Sequence, residues 1–132
     1  MTVSSGLLPG SVAAATVGSA VTFDLSKNAN AVLMAINAGH EGTHVMDNLD
    51  PRSSTFPLSA FSIEFRGYET SAWVAQGLGL QSLSAGSYDI YTRGQGFNDA
   101  ATTNMIMDVY PTFNPGTSYL DPLPYHDPWD QQ

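Results

Sequence analysis

The chain contains no cysteine. It therefore forms no disulfide bond, and it offers no thiolate as a nucleophile or as a ligand of a zinc site. This absence is compatible with either an oxidising or a reducing compartment. Any metal ion that the chain binds must be held by histidines and carboxylates, and the sequence has only 3 histidines.

Positive charge is also scarce. Only 4 lysines and arginines stand against 12 aspartates and glutamates, which gives a formal net charge of −8. Because binding to phosphate groups needs clustered cations, the composition argues against nucleic acid and against an anionic membrane as partners. An acidic surface instead favours a basic substrate or partner.

Long hydrophobic runs are missing as well. No stretch is long enough to span a bilayer, and the first 20 residues lack the basic start and unbroken apolar run of a secretory signal. The length of 132 residues, 42% of them hydrophobic, predicts a single domain over 1–132 with loop-like or extended ends at 1–19 and 111–132. The abrupt, low-complexity opening favours a domain excised from a larger protein.

The sequence contains one motif that indicates a function. It is His40-Glu41-Gly42-Thr43-His44, which has the form H-E-x-x-H. On a helix, two histidines four positions apart lie on one face and can bind the same metal ion. Glu41 lies at the edge of that face, where it can take a proton from a metal-bound water. The pattern is typical of zinc peptidases, so we predict Zn²⁺ held by His40 and His44, with Glu41 as the general base.

The motif lies near the end of an apolar stripe that predicts a helix over 28–48, capped by Ser26 or Asn28. Residues at helical spacing form this stripe, and we expect it to face the core. Its members are Ala29, Val32, Leu33, Ile36, His40 and His44. Gly39 and Gly42 predict close approach of another backbone, such as a second helix or a substrate strand.

Further elements complete an α+β fold in which two packed helices carry the site beside a small sheet. The patterns predict a second helix over 58–76, strands at 20–25 and 88–92, and a short helix or strand at 103–110.

A catalytic zinc usually takes three protein ligands, and Glu69 is the first candidate for the third. It shares a helix face with Ala72, and a small residue one turn on lets the second helix pack closely against the first. The competing interpretation of Glu69 is a solvated carboxylate on the helix surface. Glu64 lies about 140° around the helix from Glu69, and we assign Glu64 and Arg66 to the solvated side.

Two segments together resemble the gluzincin branch of the zincin metallopeptidases. They are Gly39-His40-Glu41-Gly42-Thr43-His44-Val45 and Tyr68-Glu69-x-x-Ala72-Trp73, and they look like the C-terminal metallopeptidase domains of Rhs and other polymorphic toxins. The resemblance covers residues 30–76. It implies a secreted or delivered effector domain that cleaves a peptide or protein substrate and is inhibited by an immunity protein.

Asp50 is the alternative third ligand, because it stands six residues after His44, where the metzincin branch places its third ligand. That branch has glycine three residues after the second histidine, and this chain has Asp47. We expect Asp47 otherwise to orient a ligand histidine through its second ring nitrogen.

The oxyanion of peptide hydrolysis needs a hydrogen-bond donor besides the metal, and His126 is the candidate for this catalytic role. Alternatively, His126 is an exposed residue of the proline-rich tail. Other donors would serve equally well: Tyr110, Tyr119, Tyr125 and Arg93. Two non-enzymatic functions stay open, a non-catalytic zinc-binding module and an acidic protein-interaction module. Retention of Glu41 argues against the first, because a structural zinc site has no use for a base.

Overall fold

The computed structural model describes residues 1–55 and 58–110. His126, Tyr119 and Tyr125 lie outside this part of the chain, so their predicted roles stay predictions. Within the described residues, three α-helices, six short strands and one 3-10 turn follow one another. Their order is β1 (Thr2–Ser5), β2 (Ala14–Val17), β3 (Ala20–Phe23), α1 (Ala31–Leu49), the 3-10 turn (Pro51–Ser54), α2 (Ala60–Gly77), β4 (Ser82–Ala85), β5 (Tyr88–Thr92), β6 (Gly96–Phe97) and α3 (Asp99–Val109).

The strands form two separate three-stranded sheets, and the predicted α+β class is confirmed. The first sheet has the order β1-β3-β2, with β1 parallel and β2 antiparallel to β3. The second has the order β4-β5-β6 and is antiparallel throughout. The strands predicted at 20–25 and 88–92 are β3 and β5, and the ambiguous segment 103–110 belongs to helix α3.

Helix α1 begins later than predicted, because Asn30 is its N-cap and accepts a hydrogen bond from the backbone N–H of Leu33. The prediction that the whole apolar stripe faces the core is wrong at the N-terminal end of the helix, because Val32 and Leu33 are 38% and 40% exposed. The helix contacts give the reason. Gly39 lies against Val74 of α2, and α2 ends only three residues later, so the first turn of α1 extends past its partner.

Helix α2 runs antiparallel to α1 and confirms the predicted second helix. Ser59 caps its N-terminus, and Gly79 follows its C-terminus with φ of 72°, a conformation that glycine adopts without steric cost. A Cβ on Gly39 would lie 2.8 Å from Cγ2 of Val74, which confirms close approach of a second helix at this glycine. At Gly42 a Cβ would meet nothing within 4 Å, so no such contact exists there.

The hydrophobic core is divided between the two sides of this helix pair. Val21 and Phe23 of the first sheet pack with Val45 of α1. On the other side, α2, the second sheet and α3 share a cluster formed by Phe61, Ile90, Met105 and Ile106. The helix pair therefore has a sheet packed on either side, and the motif histidines lie at its interface.

Candidate metal centre

Three side chains meet between α1 and α2. Nε2 of His40 lies 3.3 Å from Oε2 of Glu64, and Nε2 of His44 lies 3.4 Å from Oε1 of the same carboxylate. One donor atom from each of the three residues lies within 4.8 Å of the others. The two imidazole rings stand edge to face, with centroids 4.6 Å apart.

This geometry corrects the assignment of Glu64 to the solvated side. The carboxylate that faces the histidines is Glu64, and Glu69 is not part of the group. Glu69 is only 8% exposed, so the competing interpretation of Glu69 as a solvated carboxylate is wrong. Glu64 faces the histidines, and Glu69 does not, because of the way α2 is rotated about its own axis. The face that meets His40 consists of Gly67 and Tyr68, one turn after Glu64 and on its side of the helix.

A signal for Glu64 was present in the sequence. A small residue three positions after a glutamate was the criterion that favoured Glu69 with Ala72, and Glu64 with Gly67 satisfies it equally. In the structure, a Cβ on Gly67 would lie 2.7 Å from Cε1 of His40. The imidazole therefore occupies the space that any larger residue at position 67 would take.

Two of the separations within this group can be compared with those in a tetrahedral metal site. Bonds of about 2.1 Å at a tetrahedral angle place neighbouring donor atoms about 3.4 Å apart. The observed separations of 3.3 and 3.4 Å match this value, although they involve different oxygens of the Glu64 carboxylate. Two imidazoles and one carboxylate form one of the ligand sets of catalytic zinc, which keeps its fourth position for water.

Within this group, Glu64 and His44 stabilise each other's charged forms. Burial disfavours the ionised form of Glu64, but hydrogen bonds and charge interactions with His40 and His44 outweigh burial and lower the pKa of Glu64 to about 2. Burial likewise opposes protonation of His44, but Glu64 and the charges of Glu41 and Asp47 raise its pKa above the ordinary value. A metal ion must therefore displace a proton that this carboxylate helps to hold.

Glu41 is buried, its charge interacts with that of His44, and its carboxylate contacts the first sheet. The hydroxyl of Thr16 on β2 donates to Oε2 of Glu41 at 2.5 Å and lies 3.3 Å from the Glu41 carbonyl oxygen. The Thr16 hydroxyl thus restrains the carboxylate of the predicted base where the first sheet meets α1. Nothing in the sequence around Thr16 marks it, since it lies in a segment predicted as an extended or loop-like end.

The two aspartates after the motif have other partners. Asp50 accepts hydrogen bonds from the backbone and guanidinium of Arg52, which lower the pKa of Asp50 to about 2, and it is not part of the metal-binding group. Asp47 is buried and paired with Arg66 of α2 at 2.9 and 3.1 Å. Asp47 was expected to orient a ligand histidine, and it does not orient His44, because Nδ1 of His44 has no hydrogen-bond partner among the described residues. The assignment of Arg66 to the solvated side is wrong as well, since its side chain is 10% exposed.

Tyr110 and Arg93 are the predicted oxyanion donors among the described residues, and Tyr110 interacts with the charges of Glu64 and Glu41. It follows α3 and is hydrogen-bonded to Tyr68, whose ring stands edge to face on His40 with centroids 4.5 Å apart. Burial and the charge of Glu64 both raise the pKa of Tyr110, so its phenol remains protonated and able to donate at neutral pH. Arg93 is exposed in the turn between β5 and β6.

Comparisons with protein-family models, with curated proteins and with solved structures give no match to this chain. Among the helices that the structure describes, none combines the length and the apolar character needed to cross a membrane.

Proposed function

We propose that the protein is a zinc-dependent peptidase whose ligands are His40, His44 and Glu64. The observation that carries this proposal is the Glu64 carboxylate, which bridges the two motif histidines at 3.3 and 3.4 Å. An H-E-x-x-H helix alone supplies two ligands and a base. A catalytic zinc site requires a third ligand in addition, and the proximity of the Glu64 carboxylate from a separate helix supports it in this role.

Each residue of the site has a chemical role in this proposal. A zinc ion held there would polarise a peptide carbonyl and make a water molecule acidic. Glu41 accepts a proton from that water and passes it to the leaving amine. Tyr110 is the described candidate for donating a hydrogen bond to the oxyanion, and Tyr68 holds its phenol by a hydrogen bond.

The site favours catalysis over a purely structural role. A structural zinc is usually closed by four protein ligands, whereas the group among the described residues has three. The −8 charge of the chain favours a basic peptide or protein as substrate and disfavours nucleic acid and membranes as partners. Delivery as an effector or toxin, with an immunity protein as partner, rests on the sequence resemblance alone.

The test is metal content followed by cleavage. Protein purified without chelator is analysed for zinc, and the zinc-loaded protein is incubated with a mixed peptide library in which new termini are detected by mass spectrometry. We expect about one zinc per chain and cleavage by the wild type. Glu41→Gln should keep the zinc and lose cleavage, because the amide cannot accept the proton.

The other outcomes separate the competing functions. Zinc binding without cleavage by the wild type would favour a non-catalytic zinc module. Failure of the wild type to take up added zinc would contradict the proposal and leave an acidic interaction module.

A further inference from the structure

The contact between Thr16 and Glu41 joins two elements that are far apart in sequence. Thr16 lies on β2 of the first sheet, and Glu41 lies on α1, 25 positions later in the sequence. The Thr16 hydroxyl is 2.5 Å from Oε2 of Glu41, whose side chain is buried. A hydroxyl next to a carboxylate acts as the donor, so the bond restrains one of the two carboxylate oxygens.

We propose that Thr16 is a positioning residue that fixes the orientation of the Glu41 carboxylate for proton transfer. This inference rests on the proposed peptidase function. Glutamate has several rotatable side-chain bonds, and a base that samples several rotamers spends little time in reach of the proton it must take. With Oε2 bonded to the Thr16 hydroxyl, the carboxylate has less rotational freedom.

The hydrogen bond is not needed to hold β2 in place. The β2 strand is paired along its length with β3, and the turn after it is tied to α1 by a second bond, from Nδ2 of Asn48 to the carbonyl oxygen of Gly18 at 2.8 Å. A defect confined to the orientation of Glu41 can therefore be told apart from a loosened strand. Asn48 provides the matched control, because its side chain links the same two elements at an exposed position.

The kinetic test compares Thr16→Val, Thr16→Ser and Asn48→Ala as zinc-loaded proteins. Misplacement of a catalytic group by about 1 Å costs about 100-fold in rate. We expect Thr16→Val, which keeps the shape but removes the donor, to lower kcat about 10- to 100-fold with KM and zinc affinity unchanged. Thr16→Ser should restore most of kcat, and Asn48→Ala should leave kcat near the wild-type value.

Several results would overturn the inference. They are an unchanged kcat in Thr16→Val, an equal loss of kcat in Asn48→Ala, and a Thr16→Ser protein as slow as Thr16→Val. Each would show that the hydroxyl does not act through the orientation of Glu41.

A second measurement keeps the inference testable if the wild type cleaves no peptide. Side-chain scalar couplings of Glu41, measured by NMR on labelled protein, report whether one rotamer dominates. We expect one dominant rotamer in the wild type and in Thr16→Ser, and averaged couplings in Thr16→Val, with unchanged backbone shifts in β2. Equal averaging in the wild type and in Thr16→Val would overturn the positioning role. Absence of cleavage with the expected couplings would contradict only the proposed function.

Discussion

Replacing Glu64 by glutamine is the sharpest test of the metal centre, because it removes the ligand charge and keeps the side-chain volume. Apparent binding free energies of structural zinc sites are about 10–16 kcal/mol over four ligands, or about 2.5–4 kcal/mol for each. At 1.4 kcal/mol per factor of ten, losing one ligand corresponds to a loss of about 10²- to 10³-fold in zinc affinity.

The assay is competition for zinc between the protein and a chromophoric chelator at constant pH. Glu69→Gln and Asp50→Asn are the matched controls, since both remove a nearby carboxylate that is outside the group. We expect both to stay within about threefold of the wild type, because neither charge is a ligand. A large loss of affinity in Glu69→Gln, with Glu64→Gln near the wild type, would refute Glu64 as the third ligand.

The same carboxylate predicts how the stability of the zinc-free protein depends on pH. Glu64 has a pKa lowered from 4.5 to about 2, so its contribution is present above pH 4.5 and is lost as the pH falls through about 2. His44 has a pKa raised above 6.5, so its contribution is present below pH 6.5 and is lost as the pH rises through the folded-state pKa. Urea unfolding should therefore show a stabilising contribution of this pair that is greatest between pH 4.5 and 6.5. Glu64→Gln should remove this contribution, and a pH profile that the substitution leaves unchanged would contradict the coupling.

The remaining predictions concern two contacts between the helices, at Gly67 and at Arg66, and Gly42 provides the control for the first. Gly67→Ala should displace the ring of His40, which a Cβ would approach to 2.7 Å, and should lower zinc affinity about tenfold or more in the chelator assay. Gly42→Ala, where a Cβ meets nothing within 4 Å, should instead stabilise the protein by about 0.5–1 kcal/mol with unchanged affinity. Arg66→Met should destabilise the protein by about 3–5 kcal/mol in urea unfolding, because it leaves the buried Asp47 carboxylate without its cation. The double variant Arg66→Met/Asp47→Leu should recover most of that loss, and a double variant no more stable than the single one would contradict this explanation.

The parts of the site that one helix determines were predictable from the sequence. His40, Glu41 and His44 lie within two turns of α1, so their relative placement follows from helical geometry once the helix is identified. Strand β3 was also predictable, because the alternation of apolar and polar residues over 20–25 is a local pattern. The boundaries shifted by a few residues where capping residues determine them.

The identity of the carboxylate that faces the two histidines was not predictable in the same way, because it depends on the rotation of α2 about its axis relative to α1. Helical periodicity identifies which residues share a face, but tertiary packing decides which face meets the neighbouring helix. Glu64 and Glu69 lie about 140° apart, and each has a small residue three positions later. Close packing of Gly67 against the His40 ring favours the Glu64 face.

The contact made by Thr16 was even less predictable from the sequence. Its strand has the sequence Ala-Ala-Thr-Val and is four residues long, too short for a clear alternating pattern. It becomes a strand because β3 pairs with it, and its hydroxyl reaches Glu41 because that sheet packs on α1. Contacts of this kind follow from tertiary structure and leave no local signal.

Two contacts between α1 and α2 restrain the part of the helix pair where His40, His44 and Glu64 face each other. At one end of the pair, Gly39 packs directly against Val74, and at the other, Asp47 is paired with Arg66. The metal-binding group lies between these two contacts, so both the separation and the sliding of the helices are restrained where the ligands face each other. Sites that are formed only by the metal, as in small zinc domains, couple binding to folding. Because the helix contacts order the group here, we expect the fold to form without zinc, so the free energy of the proposed zinc binding would contribute to affinity rather than to assembling the fold.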